Sequence, residues 1–321
     1  MSEGGKRHHW KVAAADEKQR LDHFLVDTGE LGSRSQIDKL ISGGRVRLDG
    51  VRAKAGAMLR PGQRIDVEQP PPNVIELRAE PIDIRVLYED DYLLAVDKPA
   101  GLVVHPAPGH WRGTLVNALL YRWQGERPGL DPQRCGIVHR LDKDTSGVIL
   151  VAKDLQTHEE LGRLFRRRAV YKRYTAIVAG IPQPEAGEID APIARHKTDR
   201  KRMAVRAAGR AAVTRYEVIE RYRGAALVHA FPRTGRTHQI RVHLASIGHP
   251  VLADPVYASS RRSPLPVMSR QALHAERLKF THPRTGRELR LRAPWPEDLA
   301  AAVEELRLKT STPRSVDRRP L

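Results

Sequence analysis

The chain has 321 residues, and its 56 Lys and Arg against 38 Asp and Glu give a formal net charge of +18. Hydrophobic residues make up 40% of the sequence, enough to build a packed core, so a wholly disordered chain is excluded. The single cysteine, Cys135, excludes a disulfide framework, an iron–sulfur cluster and a cysteine-based zinc finger.

The positive charge favours a polyanionic partner, either nucleic acid or an anionic membrane surface. No apolar run approaches the roughly eighteen residues of a membrane span, and no apolar signal core follows the polar N-terminus. We therefore expect a cytoplasmic protein that binds nucleic acid and no membrane. Charge alone does not distinguish DNA from RNA.

Residues 1–17 show no sustained periodicity, which predicts a flexible N-terminus. The next segment, residues 18–68, predicts a compact module of two short helices and short strands. Its second helix begins at Ser33, with Gln36 three residues later in the pattern of a capping box. Consecutive prolines predict a stiff linker over residues 69–80.

Residues 81–309 alternate predicted strands and helices without the regular repeat of a doubly wound sheet, so the pattern favours an α+β fold. The basic residues 310–321 predict a disordered tail. The main predicted strands of this domain cover residues 92–96, 148–151, 174–178 and 226–230. Its predicted helices begin near Thr114, Asp154, Thr237 and Pro296.

The sequence contains no Walker loop, no G-x-G-x-x-G after a strand, no H-E-x-x-H and no G-x-S-x-G motif. Its 14 histidines are dispersed. His238 and His243 are five positions apart, a spacing that shares neither a helix face nor a strand face. We therefore expect neither a cofactor nor a metal.

Two polar segments could carry chemistry. Residues 136–147 gather five ionisable side chains and two hydroxyls in a predicted loop, which indicates either a functional loop or a solvated charged turn. Residues 233–243 begin a predicted helix with arginines nearby, typical of a phosphate site or of an ordinary basic helix start. The basic segments 161–173 and 195–210 favour a phosphate-contacting surface at least as much as a solvated face.

The sequence HRLDKDTSG at residues 139–147 resembles the catalytic loop of the pseudouridine synthases of the ribosomal large-subunit type. The resemblance extends in order over residues 81 to about 305, and residues 18–68 are similar to the S4 RNA-binding domain. It implies an S4 module followed by a catalytic domain with a mixed, largely antiparallel sheet and flanking helices. Further matching segments are VVHP at 103–106, VYKRYTA at 170–176 and TGRTHQIRVHL at 234–244.

The family converts uridine to pseudouridine without a cofactor, and the resemblance implies that Asp142 supplies the required carboxylate. That carboxylate either attacks C1′ of the ribose or removes a ribose proton. The resemblance makes Arg241 the ion-pair partner of Asp142, and places Tyr174 on the target base, where it helps to remove the C5 proton. Arg140 resembles the wedge that fills the stack when the nucleotide flips out. The active-site loop also includes His139, Leu141 and Thr145.

The partner that the resemblance implies is 23S (large-subunit) rRNA or a large-subunit particle, bound by a monomeric enzyme. The sequence departs from the family pattern at Ala253 and Ala258, where glycine is usual. The predicted RNA contacts are Arg20, Ser33, Arg34, Lys39, Arg45 and Arg47 in the S4 module, and Arg166, Arg167, Lys172, Arg236 and His238 in the catalytic domain.

Three other interpretations stay open at this point. The chain could be a non-catalytic S4-type RNA-binding or ribosome-assembly factor. It could also be a metal-dependent nuclease that uses the Asp- and His-rich loops, although clustered carboxylates at metal spacing are missing. Finally, a pseudouridine synthase with this sequence could act on other rRNA or tRNA uridines.

Overall fold

The structure is a computed structural model that describes residues 5–32, 34–70, 77–107, 110–125, 129–199, 202–258 and 268–311. The chain divides into two compact units between residues 76 and 77. Of the predicted linker, residues 71–76 lie outside the described residues, as do residues 312–321 of the predicted tail.

The first unit packs two helices against a four-stranded antiparallel sheet with the order β1-β4-β2-β3. Its core is apolar, and Leu21, Leu25 and Ile37 of the helices are fully buried with Val46 and Ile65 of the strands. The predicted cap Ser33 lies outside the described residues. The elements are β1 (Lys6–Lys11), α1 (Leu21–Asp27), α2 (Arg34–Ser42), β2 (Val46–Leu48), β3 (Val51–Arg52) and β4 (Arg64–Gln69).

The prediction of a flexible N-terminus is wrong for Lys6–Lys11, which form strand β1. This strand pairs with β4 along its whole length, from Lys6 opposite Gln69 to Lys11 opposite Arg64. The segment KRHHWK has one large apolar residue, Trp10, so its sequence shows no alternation of apolar and polar residues. Backbone hydrogen bonds to a distant strand create this element, and periodicity cannot reveal them.

The second unit is a mixed sheet flanked by helices, which confirms the predicted α+β fold. Among its described strands the order is β5-β6-β7-β14-β8-β13-β12-β9, with β15 on β14, and only β7 and β14 are parallel. Strands β10 and β11 form a separate hairpin. The strands are β5 (Arg85–Glu89), β6 (Leu93–Lys98), β7 (Ser146–Ala152), β8 (Tyr171–Ala179), β9 (Ala186–Asp190), β10 (Ile193–Arg195), β11 (Met203–Val205), β12 (Val213–Tyr222), β13 (Ala225–Pro232), β14 (Leu273–Thr281) and β15 (Glu288–Arg292).

The helices of this unit are α3 (Leu115–Arg122), α4 (Leu155–Arg166), α5 (Gln239–Ser246) and α6 (Glu297–Ser311). Two predicted caps are confirmed, because the side chains of Thr114 and Asp154 accept hydrogen bonds from backbone N–H groups in the first turns of α3 and α4. The predicted cap Thr237 is wrong. Helix α5 begins at Gln239 and is preceded by His238 in the left-handed conformation, with φ of 55°, so the chain enters this helix without a Thr237 cap.

The predicted catalytic loop ends at Gly147, where β7 runs beside β14. Gly147 has φ of +120°, and a Cβ atom placed there would clash with the backbone carbonyl of Ala275. The close approach of these two strands therefore requires glycine directly after the loop.

We expect Gly147→Ala to lower the free energy of unfolding by about 2–4 kcal/mol, because it adds a backbone clash to a strained φ. Urea denaturation of the full chain measures this loss. Gly286→Ala is the matched control, since Gly286 has φ of +71° and no atom within 4 Å of the added Cβ. The control is expected to cost about 1–2 kcal/mol. Equal losses in the two variants would contradict the steric explanation.

Candidate active site

Lys98, at the end of β6, binds the predicted catalytic loop through its side chain. The side chain is fully buried, and its Nζ donates to the carbonyl oxygens of Pro99, Leu102 and Lys143 at 2.7, 2.9 and 2.9 Å. Burial lowers the pKa of Lys98 to about 7, against the opposing effect of nearby carboxylates. Three carbonyl acceptors match the three donors of an ammonium group, and the contact to Lys143 fixes the residue next to Asp142.

His139 attaches the same loop to strand β7. Its Nε2 accepts a hydrogen bond from the backbone N–H of Leu150 in β7 at 2.9 Å, and its ring stacks on Phe165 of α4 at 4.7 Å. Burial, with a smaller effect of Lys172, lowers the pKa of His139 to about 3. The imidazole is therefore neutral and holds the loop against β7.

The other loop residues divide into anchors and an exposed group. Leu141 and Thr145 are buried, and the Thr145 hydroxyl accepts a hydrogen bond from Gln271 at 2.9 Å. Arg270 donates to the carbonyl oxygen of Asp144 at 3.1 Å. Arg140, the predicted wedge, is exposed. The loop is rigidly attached on both sides of Asp142 while Arg140 extends into solvent.

The structure brings Asp142 and Arg241 together. Nη1 of Arg241 donates to Oδ2 of Asp142 at 2.8 Å. The same guanidinium donates from Nε and Nη2 to the two carboxylate oxygens of Asp254, at 2.6 and 2.8 Å. The exposed fractions of the three side chains are 4% for Arg241, 0% for Asp254 and 22% for Asp142. One buried arginine thus joins a closed carboxylate and a partly open one.

Burial by itself would lower the pKa of Arg241, but the hydrogen bonds and charge of Asp254, with the charge of Asp142, raise it above its ordinary value. Arg241 is therefore a permanent cation. Asp254 accepts further hydrogen bonds from the backbone N–H groups of Val256 and Tyr257, at 2.9 and 3.1 Å. Sequence reasoning did not identify Asp254 as a site residue, and an acidic residue before a proline is too common a signal to find it.

Ala253 stands directly before Asp254 and has φ of 54°, the left-handed conformation that glycine adopts without strain. The departure from the family pattern therefore leaves the backbone geometry of glycine in place, at a cost of about 1–2 kcal/mol. This left-handed backbone conformation immediately precedes Asp254, the residue that binds Arg241. The second departure, Ala258, donates its N–H to the carbonyl oxygen of Asp254 at 3.1 Å.

Tyr174 lies on β8, partly buried between the two largest core clusters of the second unit. Removal of its hydroxyl from water raises its pKa, and the negative charge of Asp142 raises it further. The Tyr174 hydroxyl therefore lies within electrostatic reach of the Asp142 carboxylate. The hydroxyl of Tyr174 is protonated at neutral pH, which argues against a phenolate base.

His238, predicted as an RNA contact, lies at the edge of this site. Its Nδ1 is 2.8 Å from the hydroxyl of Tyr257, which also accepts a hydrogen bond from the N–H of Met203 at 2.9 Å. The guanidinium carbon of Arg241 lies 5.2 Å from the centre of the Tyr257 ring. These contacts connect the β10–β11 hairpin to the arginine that binds Asp142.

The predicted RNA-binding residues of the catalytic domain form a cationic area near the loop. Lys172 donates to the carbonyl oxygen of Thr234 at 3.2 Å, and burial, then Arg168, lowers its pKa to about 8. Burial lowers the pKa of Arg236, as do Arg210 and Arg168. Within the described part of the chain none of these four cations pairs with a carboxylate. Arg166 and Arg167 are exposed at the end of α4.

In the first unit, two of the predicted RNA contacts share one buried acid. Arg20 and Arg34 lie 3.0 and 3.4 Å from the carboxylate of Asp22. The contacts hold both guanidinium groups at the surface, where they are 48% and 61% exposed. Of the remaining predicted contacts of this unit, Lys39, Arg45 and Arg47 are exposed, and Ser33 lies outside the described residues.

Among the described residues, no group of three or more His, Cys, Asp or Glu side chains is arranged to hold a metal ion. In the same ranges no helix combines the length and apolarity needed to cross a bilayer.

Residues 92–246 match the RNA pseudouridylate synthase family, and residues 19–65 match the S4 domain. An RNA pseudouridine synthase of Bacillus subtilis, itself uncharacterized, is 43% identical over 298 residues, covering 92% of this chain and 97% of its own. The ribosomal large subunit pseudouridine synthase D of Xanthomonas campestris is 42% identical over 316 residues, covering 94% and 93%.

A solved structure gives the same result. The human RNA pseudouridylate synthase domain containing 4 has a TM-score of 0.56 at 28% identity, and the match covers 70% of this chain and 93% of that one. The resemblance inferred from the sequence is confirmed. The chain carries an S4 RNA-binding domain and belongs to the RNA pseudouridine synthase family, isomerases that convert uridine to pseudouridine in RNA.

Proposed function

We propose that this enzyme forms pseudouridine in 23S (large-subunit) rRNA, with Asp142 as the essential carboxylate. The observation that carries the proposal is the set of hydrogen bonds that the Arg241 guanidinium group donates to two carboxylates. Two of its donors are saturated by the closed carboxylate of Asp254, and a third holds the partly open carboxylate of Asp142. The names of the relatives in Xanthomonas campestris and Nitrosomonas europaea, ribosomal large subunit pseudouridine synthase D, support this substrate.

Asp142 acts on the ribose, either by attack of its carboxylate on C1′ as the N1–C1′ bond breaks, or by removal of a ribose proton to form a glycal. In both routes uracil detaches, turns and bonds through C5 to C1′. In the first route C5 displaces the Asp142 carboxylate from C1′, and in the second Asp142 returns the proton that it took from the ribose. The C5 proton is released to water. Arg241 keeps the carboxylate oriented in a site shielded from bulk water. Because Arg241 already supplies a fixed positive charge beside the carboxylate, the proposed reaction needs no metal ion.

The target nucleotide must leave its stack, at a cost of a few kcal/mol, before Asp142 can reach its ribose. Arg140 is exposed two residues before Asp142, where it can enter the vacated stack. The partly buried ring of Tyr174 supplies an apolar surface for the flipped uracil. Its raised pKa favours this packing role over proton abstraction by a phenolate.

RNA reaches the site along the cations near the loop and on the S4 domain. Four cations lie close together near the loop, namely Lys172, Arg236, Arg210 and Arg168. Their positive charges repel one another, and a bound RNA phosphate would relieve this repulsion. Arg34 and Arg20 present their guanidinium groups on the S4 domain. We propose a monomer that works in the cytoplasm on rRNA or on large-subunit particles.

Asp142→Asn is expected to lower the rate of pseudouridine formation by at least about 1000-fold, because an amide can neither attack C1′ nor accept a ribose proton. The measurement is tritium release from a 23S rRNA transcript, or from large-subunit particles, labelled at C5 of uracil and incubated with EDTA. Asp144→Asn is the matched control in the same loop and is expected to stay within about tenfold of wild type. Tritium release by Asp142→Asn, or cleavage of the RNA by wild type, would refute the proposal.

Arg241→Lys is expected to lower kcat by about 100-fold, because an ammonium group cannot reproduce the planar two-nitrogen contact to Asp254 while also orienting Asp142. Arg173→Lys serves as the control, since Arg173 donates to buried Glu276 at 2.7 Å but lies on the strand face opposite Tyr174. Single-turnover tritium release separates kcat from binding, and urea denaturation reports any loss of stability. An unchanged kcat in Arg241→Lys would contradict the assigned role.

Deletion of residues 1–70 is expected to weaken rRNA modification through a higher KM while kcat is retained. The catalytic unit has its own core clusters, built from residues of 84–306, and the S4 domain adds exposed cations. Circular dichroism checks the fold of the truncated chain, and steady-state tritium release on intact rRNA or particles measures KM. Equal KM values for the two proteins would overturn this role of the S4 domain.

A further inference from the structure

The face of the large sheet opposite Tyr174 is exposed at one end of its strands. Successive residues of a strand point to opposite faces, so Tyr171 and Arg173 of β8 lie on the face opposite Lys172 and Tyr174. The contacts agree with this, because Lys172 bonds to Thr234 beside the active site whereas Arg173 bonds to Glu276. We call this second surface the basic sheet face. It comprises Arg173, Arg215, Arg277, Lys279, Arg290 and Arg292, with the aromatic residues Tyr171 and Phe231.

Cations on this face stand directly opposite one another across the strands. Arg277 of β14 pairs with Arg173 of β8 on one side and with Arg292 of β15 on the other. Lys279 of β14 pairs in the same way with Arg290. Like charges directly opposite in a sheet are destabilising. Their placement in adjacent rows therefore requires compensating negative charge.

Carboxylates offset only part of this charge. Buried Glu276 lies 2.7, 3.5 and 3.2 Å from Arg173, Arg277 and Arg292. Glu288 pairs with Arg290 and Lys279, and Glu217 lies 3.9 Å from Arg215. Among the described residues, these six cations thus have three carboxylates within ion-pair distance. Arg215, Arg290 and Arg292 are 61%, 77% and 62% exposed, so their charges face solvent.

Aromatic rings lie among these cations. Tyr171 is 45% exposed, and its ring centre is 5.9 Å from that of Phe231 on the neighbouring strand β13. The guanidinium carbon of Arg215 lies 4.9 Å from the centre of the Phe231 ring. An exposed tyrosine ring beside a partly exposed phenylalanine, with arginines around them, forms the kind of surface on which bases of single-stranded RNA stack while phosphates contact the cations.

We propose that the basic sheet face is a second RNA-binding surface, which holds a single-stranded segment of the RNA whose target uridine occupies the active site. The inference rests on the proposed function for the identity of the RNA. Rings placed among cations favour RNA, whose bases stack while its phosphates pair with the arginines, over an acidic peptide or an anionic lipid surface. The enzyme would then grip one RNA on both faces of the same sheet.

The test uses the full-length protein and a fluorescein-labelled dodecamer of adenosine, which contains no uridine to enter the reaction. Tyr171→Ala is expected to weaken binding of this probe about tenfold, and Tyr171→Phe to restore it, because the ring supplies the stacking surface. Lys279→Gln with Arg290→Gln is expected to reduce the slope of log K against log salt by about 1.4, since each lost phosphate contact on a single strand removes about 0.7. Fluorescence anisotropy at several salt concentrations measures both quantities.

Arg221→Gln with Lys309→Gln is the matched control, because it removes two cations that are 64% and 46% exposed elsewhere on the catalytic unit. On a 23S rRNA transcript the basic-face variants are expected to raise KM and leave kcat unchanged. Wild-type affinity in Tyr171→Ala, or a salt slope in the Lys279/Arg290 variant equal to that of the control, would overturn the proposal. A wild-type enzyme that binds the dodecamer through Tyr171 but releases no tritium from rRNA would refute the proposed function instead.

Discussion

The catalytic unit depends on one buried guanidinium group. Burying an arginine costs several kcal/mol unless charged partners saturate it. Arg241 therefore requires both Asp254, which is closed to solvent, and Asp142, which is not. These three residues come from a loop before β7, from helix α5 and from the segment after it. The buried charge of Arg241 is compensated only when all three segments meet. Folding of these segments therefore also places Asp142 beside Arg241.

The neighbourhood of this network is built to keep Asp142 still. Lys98 ties the loop to β6, and His139 ties it to β7 by a hydrogen bond that only the neutral imidazole can accept. Gly147 lets β7 approach β14 at the other end of the loop. The proposed action of Asp142 on the ribose of a flipped nucleotide would need this precision, because small displacements from a reactive geometry cost large factors in rate.

The cations behind the net charge of +18 include two groups that lie on opposite faces of the large sheet. One group of cations surrounds the predicted catalytic loop, where Lys172 and Arg236 are held close by backbone carbonyl oxygens. Another group covers the opposite face, where Arg277 and Lys279 sit in rows of like charge. Basic segments such as 161–173 are visible in the sequence, whereas the second group is assembled from four strands and has no linear signature.

The sequence by itself determined the helices with a regular apolar spacing, the caps Thr114 and Asp154, and the α+β class, because each depends on residues close in the chain. Its motifs also identified the family and, through it, the candidates Asp142 and Arg241. Only the tertiary structure decided that Lys6–Lys11 form a strand and that Asp254 completes the site. Strand pairing and buried ion pairs join residues that are distant in sequence, and no local pattern specifies which distant partner will satisfy a backbone amide or a guanidinium group.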